Sequence, residues 1–148
     1  MSQTLSKAAP GVRISQERQA RPAISQDGRY LAAGTQSNLI HLWDVNSGHQ
    51  LGVFRGHVAG VLGLSFSPDG KTLASCGDSR VKLWNIETLQ EILTLARFNS
   101  TAGVALFSSD GSCLATSSTD DHVQLWRAPS FEEIAATEAK EKTESKQP

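Results

Sequence analysis

Apolar and polar residues alternate over short stretches of this chain, and turns containing glycine separate the stretches. In the middle of the chain, Leu62, Leu64 and Phe66 alternate with other residues just before the pair Asp69-Gly70. Alternation with a period of two is typical of a half-buried strand. An Asp-Gly pair between two such runs favours a hairpin, because glycine adopts positive φ without strain. The pattern therefore predicts short strands joined by tight turns.

Applied along the whole chain, this pattern predicts ten strands. They lie near residues 30–34, 39–44, 50–54, 61–66, 72–76, 81–85, 91–95, 103–107, 113–117 and 123–127. Strands this short and this closely connected pair as antiparallel hairpins, since a parallel pair would need a long crossover connection.

Three markers recur with one period. They are the turn aspartate, a leucine four residues after it and a tryptophan, at Asp27, Leu31 and Trp43, at Asp69, Leu73 and Trp84, and at Asp110, Leu114 and Trp126. The aspartates are 42 and 41 residues apart and the tryptophans 41 and 42. A repeat of about 41 residues with up to four short strands predicts the blade of a β-propeller.

The repeats resemble tryptophan–aspartate (WD) repeats of the G-protein β-subunit kind. The middle repeat is the most similar, because Gly56-His57 opens it and Leu83-Trp84-Asn85 closes its third strand. The resemblance implies an all-β fold of three four-stranded antiparallel blades of a WD-repeat β-propeller. The expected blades are residues 21–55, 56–97 and 98–127, between a polar arm (1–20) and a charged tail (128–148).

The two ends of the repeat region depart from this pattern. Pro22 aligns with the first strand of the middle blade, where proline is tolerated only at an edge. No fourth strand is predicted after Trp126. Val12–Ser15 could supply that strand, whereas 131–142 favours helix.

Three blades leave the ring open, because propellers have 4–8 blades. Three alternatives remain at this point. The chain is the C-terminal end of a longer propeller with upstream blades, it pairs with a second chain, or it self-associates into a six-bladed homo-oligomer.

The family resemblance implies a hydrogen-bonded tetrad of histidine, Ser or Thr, aspartate and tryptophan inside each blade. The residues that match are His57, Ser75, Asp78 and Trp84 in the middle blade, Thr116, Asp120 and Trp126 in the third, and Trp43 in the first. A hydrolase triad of Ser75, His57 and Asp78 is the competing interpretation. It is disfavoured because the serine lies within a strand and no G-x-S-x-G elbow is present.

The same resemblance implies contact with other proteins on the loops at one end of the blades. The positions carried over are Val58, Gly60, Gly77 and Thr119, with Gln36 as a weaker analogue. The predicted function is a non-catalytic protein–protein interaction scaffold. The alternative is a regulatory or substrate-docking segment of a larger enzyme, such as a bacterial serine/threonine protein kinase. A propeller hydrolase or lectin would need converging carboxylates or aromatic residues, which the sequence does not show.

Composition narrows the function classes further. A net charge of −1 predicts no nucleic-acid partner, and the lack of a long apolar run predicts no membrane span. Cys76 and Cys113 fall at different offsets in their repeats, so neither a disulfide nor a redox site is expected. The histidines outside the tetrad lack metal-ligand spacing. We therefore expect no metal, no cofactor and, by default, a cytoplasmic location.

Overall fold

The computed structural model describes residues 21–127, and this part of the chain consists of strands and turns. The strands are β1 (Arg21–Ile24), β2 (Tyr30–Gly34), β3 (Leu39–Asp44), β4 (Gln50–Arg55), β5 (Val61–Phe66), β6 (Thr72–Gly77), β7 (Arg80–Asn85), β8 (Glu91–Arg97), β9 (Ala102–Phe107), β10 (Cys113–Ser118) and β11 (Val123–Arg127). The all-β class and the ten predicted strands are confirmed, each strand within two residues at either end.

The strands form three antiparallel sheets, each made of strands that follow one another in sequence. Their orders are β1-β2-β3-β4, β5-β6-β7-β8 and β9-β10-β11. We call these sheets blades 1, 2 and 3. Blade 3 has three strands among residues 21–127, and the expectation that no fourth strand follows Trp126 concerns residues outside this segment. The first strands of successive blades contact one another, β1 with β5 and β5 with β9.

One strand was not among the ten predicted. Residues 21–24 form β1 at the edge of blade 1, where Pro22 pairs with Ala33 of β2. An edge strand needs to donate to only one neighbour, so the missing N–H of proline is tolerated there. The expectations for the polar arm 1–20, for Val12–Ser15 and for a helix at 131–142 concern residues outside the described segment.

The repeated leucine and tryptophan face each other in every blade. The cross-strand pairs are Leu31 with Trp43, Leu73 with Trp84, and Leu114 with Trp126. Because a shift of one residue would turn every side chain to the other face, this shared register fixes which side chains each face of the sheet presents.

The core lies between the blades. Between blades 1 and 2 the buried cluster is Ala32, Ile40, Leu42, Phe54, Val61, Phe66, Leu73, Trp84 and Ile86. Between blades 2 and 3 it is Ala74, Cys76, Val81, Ala102, Ala105 and Leu114. Full burial of one large apolar side chain contributes about 1.5–3 kcal/mol. The second cluster has fewer fully buried large side chains, and it is extended by large half-buried ones that pack against it, namely Leu83, Leu95, Phe98, Phe107 and Trp126.

Candidate functional site

The candidate site lies at one end of blade 2, where the loop between β4 and β5 meets the tight turn between β6 and β7. The loop contributes His57 and Val58, and the turn contributes Asp78, whose φ of 32° is left-handed. Aspartate tolerates this region better than most residues, since its short polar side chain bonds locally. Two segments distant in sequence are thereby brought side by side.

Ser75 is the centre of a buried hydrogen-bonded chain. Its Oγ accepts a hydrogen bond of 2.7 Å from Nε1 of Trp84 and lies 2.7 Å from Nε2 of His57. All three side chains are buried, and the rings of His57 and Trp84 also contact each other, with centroids 6.1 Å apart. An unpaired buried polar group would be costly, so the three groups satisfy one another's hydrogen-bonding needs.

Asp78 joins this chain to the loop backbone. Its Oδ2 accepts a 3.0 Å hydrogen bond from the N–H of Val58, and its Oδ1 accepts a 2.8 Å bond from the N–H of Arg80. Nδ1 of His57 lies 3.5 Å from Oδ2 of Asp78, which is an electrostatic contact rather than a well-formed hydrogen bond. The structure thus brings together all four residues that the family resemblance singled out in the middle blade.

Burial lowers the pKa of His57 below its ordinary value, although the carboxylate of Asp78 acts in the opposite direction. The ring is therefore neutral at neutral pH. Because Ser75 already accepts the indole N–H, its hydroxyl proton is available to Nε2 of His57. When Ser75 donates this proton, the histidine proton is on Nδ1, which lies 3.5 Å from Oδ2 of Asp78.

Serine, histidine and aspartate linked in this order also form the catalytic triad of hydrolases, but here the serine is not accessible to a substrate. A nucleophile must reach its substrate, whereas Ser75 has 0% of its surface exposed. Its oxygen also already accepts the N–H of Trp84. The arrangement can hold the loop in place, and it presents no reactive atom to a substrate.

A charged pair extends the polar cluster in a way that the sequence did not suggest. Lys82 is buried, and its Nζ donates to Oε2 of Glu91 at 2.6 Å and to Thr94 at 3.0 Å. Partial burial would raise the pKa of Glu91, but the hydrogen bonds from Lys82 and Thr94 outweigh it and lower that pKa. The ammonium also lies 5.8 Å from the ring of Trp84, so it packs beside the same indole.

Blade 3 contains part of the same arrangement. Nε1 of Trp126 donates to Oγ1 of Thr116 at 3.0 Å. Asp120 instead accepts a short hydrogen bond from Ser118 and lies 3.1 Å from Nδ1 of the exposed His122. The hydrogen bond from Ser118 is the main reason that the pKa of Asp120 falls to about 2. The carboxylate is therefore engaged within its own turn.

Blade 1 departs furthest from the tetrad. Trp43 is buried, but Ala33 occupies the position of the central hydroxyl residue. The indole of Trp43 stacks on His41, with ring centroids 5.6 Å apart. Aromatic packing thus takes the place of the hydroxyl-centred network seen in blade 2.

The five residues predicted to contact a partner differ in how far they are exposed. Val58 is 66% exposed, and Thr119 and Gln36 are also exposed. Gly60 and Gly77 pack together instead, because a Cβ added at Gly77 would lie 2.4 Å from the carbonyl oxygen of Gly60. A Cβ added at Gly60 would in turn lie 3.2 Å from Cα of Gln36. Positions from blades 1 and 2 therefore meet in one row.

A second repeated structure closes the hairpin between the first two strands of each blade. A serine two residues before the turn aspartate donates to its carboxylate at 2.6 Å, in the pairs Ser25–Asp27, Ser67–Asp69 and Ser108–Asp110. The glycine after each aspartate has φ between 69° and 72°. Hydrogen bonds from Ser108 and Ser112 lower the pKa of Asp110 to about 2. The Asp-Gly pair alone predicted these turns, and the serine is a further sequence signal, because Ser-x-Asp-Gly occurs in all three repeats.

The described residues were also compared with what a metal site, a membrane span or a reactive cysteine would require. Residues 21–127 contain no group of three metal-ligating side chains and no helix able to cross a membrane. Both cysteines are free. Burial raises the pKa of the Cys76 thiol to about 12, so this sulfur is a small apolar core atom at neutral pH.

Comparison with known proteins agrees with the repeat pattern. The family model described as WD domain, G-beta repeat (WD40), matches residues 22–44, 48–85 and 92–127. Each segment covers the first three strands of one blade, the second and third segments also include the last strand of the blade before, and together they cover more than half of the chain.

Individual relatives are larger proteins. The chain is 31% identical over 115 residues to pre-mRNA-processing factor 19 of Oryza sativa subsp. japonica, covering 76% of this chain and 22% of the relative. It is 30% identical over 123 residues to the periodic tryptophan protein 2 homolog of Mus musculus, covering 80% and 13%. It is 28% identical over 99 residues to transcription initiation factor TFIID subunit 5 of Caenorhabditis elegans, covering 66% and 15%. The chain thus spans less than a quarter of each of these relatives.

Proposed function

This chain belongs to the family of WD-repeat proteins, and we propose that it is a non-catalytic scaffold that binds another protein at the end of its blades where His57 lies. One observation carries the proposal. Val58 is apolar and 66% exposed, and its backbone N–H is held by the carboxylate of Asp78. An exposed apolar side chain on a fixed backbone loses little conformational freedom on binding, which favours affinity.

The buried network supports this role. His57, Ser75 and Trp84 fix the base of the loop in the blade core, so the loop is prepared before a partner arrives. Binding residues in many proteins lie on loops positioned by a rigid scaffold. Gln36, between β2 and β3, and Thr119, between β10 and β11, are exposed on turns equivalent to the one that holds Asp78, and they extend the proposed surface.

The relatives support a role in assembly. One of them is by name a subunit of a transcription initiation factor and another is a pre-mRNA-processing factor. We infer that this chain likewise acts by contacting other proteins. These matches give no support to a segment of a kinase, so the interaction scaffold remains the single function proposed.

Site-specific photo-crosslinking in cells of the source organism tests this proposal. A benzophenone amino acid replaces Val58, and Leu51, which is 47% exposed on β4, serves as the matched control. We expect a crosslinked adduct with a different protein from position 58 and a much weaker one from position 51. Equal adducts from both positions, or none from position 58, would contradict the proposal. An adduct of twice the mass of the chain would report self-association instead.

A further inference from the structure

One sheet face of blade 3 is apolar and uncovered among residues 21–127. We call the face that a blade turns toward the next blade its outgoing face. In blade 1 this face includes Ile40 and Leu42, which are at most 1% exposed because blade 2 covers them. In blade 2 the equivalent residues are Val81, which is fully buried, and Leu83, which packs against blade 3.

Blade 3 has Val123 and Leu125 at these positions, and they are 74% and 71% exposed. Leu125 is opposite Ala115, which is in turn opposite Leu106, so the three form a row across the sheet. Val123 and Val104 form a second row through Ser117. Leu106 is 56% exposed and Val104 43%.

These two adjacent rows form a patch in which four exposed branched side chains flank Ala115 and Ser117. Single exposed apolar residues are ordinary, but contiguous patches mark interaction surfaces. On β11 the patch repeats the positions that blades 1 and 2 bury under their neighbours, whereas Val104 and Leu106 on β9 stand where blade 2 has Gly63 and Ser65. The surface that fits it is therefore the incoming face of another blade, meaning the face that a blade turns toward the preceding one.

Blade 1 exposes part of an incoming face of this kind, on which Trp43 is buried and Ile24 is not. Phe66 of blade 2 lies on such a face and is 8% exposed, since blade 1 covers it. The equivalent residue of blade 1 is Ile24, which is 63% exposed. Leu31 is half-buried, whereas its counterpart Leu73 is fully buried. One chain thus carries both halves of an interface that it does not itself complete among residues 21–127.

We propose that the outgoing face of blade 3 binds the incoming face of blade 1 of a second copy of this chain. Contacts between two different surfaces form rings when the rotation closes. Propellers contain 4–8 blades, and six is the only multiple of three in that range. Two copies therefore form a closed six-bladed ring with two identical interfaces. This interface is independent of the loop surface proposed to bind other proteins.

Light scattering after gel filtration, together with native mass spectrometry, tests the ring on the 148-residue chain. The wild-type chain should form a species of about 32 kDa, twice 15.9 kDa, which does not grow with concentration. Leu125→Asp and Ile24→Asp should each reduce or abolish this dimer. Ile92→Asp is the matched control, because Ile92 is 51% exposed on the outermost strand of the middle blade.

Mixing the two disruptive variants separates this interface from alternatives. The intact blade 3 of Ile24→Asp can bind the intact blade 1 of Leu125→Asp, so the mixture should regain dimers of mixed composition. This recovery also shows that both variants are folded. A wild-type monomer would overturn the proposal and indicate that other parts of the chain cover both faces. Polymers that lengthen with concentration, or a dimer that Ile24→Asp leaves intact, would also overturn it.

Discussion

The indole Nε1 of Trp84 donates a 2.7 Å hydrogen bond to Oγ of Ser75, and both side chains are buried between blades 1 and 2. The bond joins the apolar core to the polar chain that ends at Asp78 and the amide of Val58. Core packing and loop position are therefore coupled in blade 2. Substitutions inside the blade should alter both.

Replacing Ser75 by alanine should lower the free energy of unfolding by about 1–3 kcal/mol, because Trp84 Nε1 and His57 Nε2 lose their shared partner in a buried site. Urea unfolding followed by circular dichroism measures this loss. Ser109→Ala serves as the control, since Ser109 is exposed in the turn between β9 and β10. A loss no larger than that of the control would argue against the network as a source of stability.

Trp84→Ala should cost about 3–5 kcal/mol, as is usual when a buried aromatic side chain is removed. The loss for Trp126→Ala should be smaller, because Trp126 is only half-buried and its blade contacts one described neighbour. Thermal melting of both variants gives the comparison. Equal losses would show that blades 2 and 3 are packed to the same degree.

The stability of the chain should fall as the pH is lowered below about 6.5, the ordinary pKa of histidine. The folded state lowers the pKa of His57, so between that value and 6.5 the unfolded chain binds a proton that the folded chain does not. The loss for this one group is at most about 1.4 kcal/mol per pH unit.

His57→Gln should be less stable at pH 7.5 and should lack this slope. The turn carboxylates change the stability in a lower pH range, because the pKa values of Asp110 and Asp120 are lowered to about 2. Their contribution is present above the unfolded pKa, near 4, and is lost as the pH falls toward 2. Urea titrations at pH 7.5, 6.5 and 5.5 therefore isolate His57, and an unchanged slope in His57→Gln would refute this assignment.

Gly77→Ala should destabilise the chain by about 1–3 kcal/mol, because the added Cβ would lie 2.4 Å from the carbonyl oxygen of Gly60, and a backbone atom can move only with its loop. Gly103→Ala is the matched control. A Cβ at Gly103 would meet nothing within 4 Å. Chemical denaturation of the two variants should differ in this order, and a neutral Gly77→Ala would mean that the loop moves freely.

Sequence patterns predicted most of the fold, because each repeat contains the residues that set the register of its strands. The turn aspartate, the leucine four residues later and the tryptophan recur with one period, and in the structure the leucine and tryptophan are paired in every blade. Strand β1 was missed, because Pro22 weakens the strand signal and an edge strand needs few hydrogen bonds.

The sequence predicted less of the candidate site than of the fold. The family resemblance named the four residues of blade 2, but the burial of Lys82 against Glu91 has no signal in spacing or composition. Asp120 shows the same limit in blade 3. Its alignment with Asp78 is sound, yet its carboxylate bonds to Ser118 and pairs with His122, because these groups lie within its own turn.

The sequence by itself determined which segments become strands, where they turn and which residues face inward, because these properties depend on local alternation and on glycine at positive φ. Only the tertiary structure decided which inward faces are covered. Val81 and Val123 occupy equivalent positions in successive repeats, yet Val81 is fully buried and Val123 is 74% exposed. Burial depends on the neighbour that packs against a sheet, and no periodic pattern within one repeat specifies that neighbour.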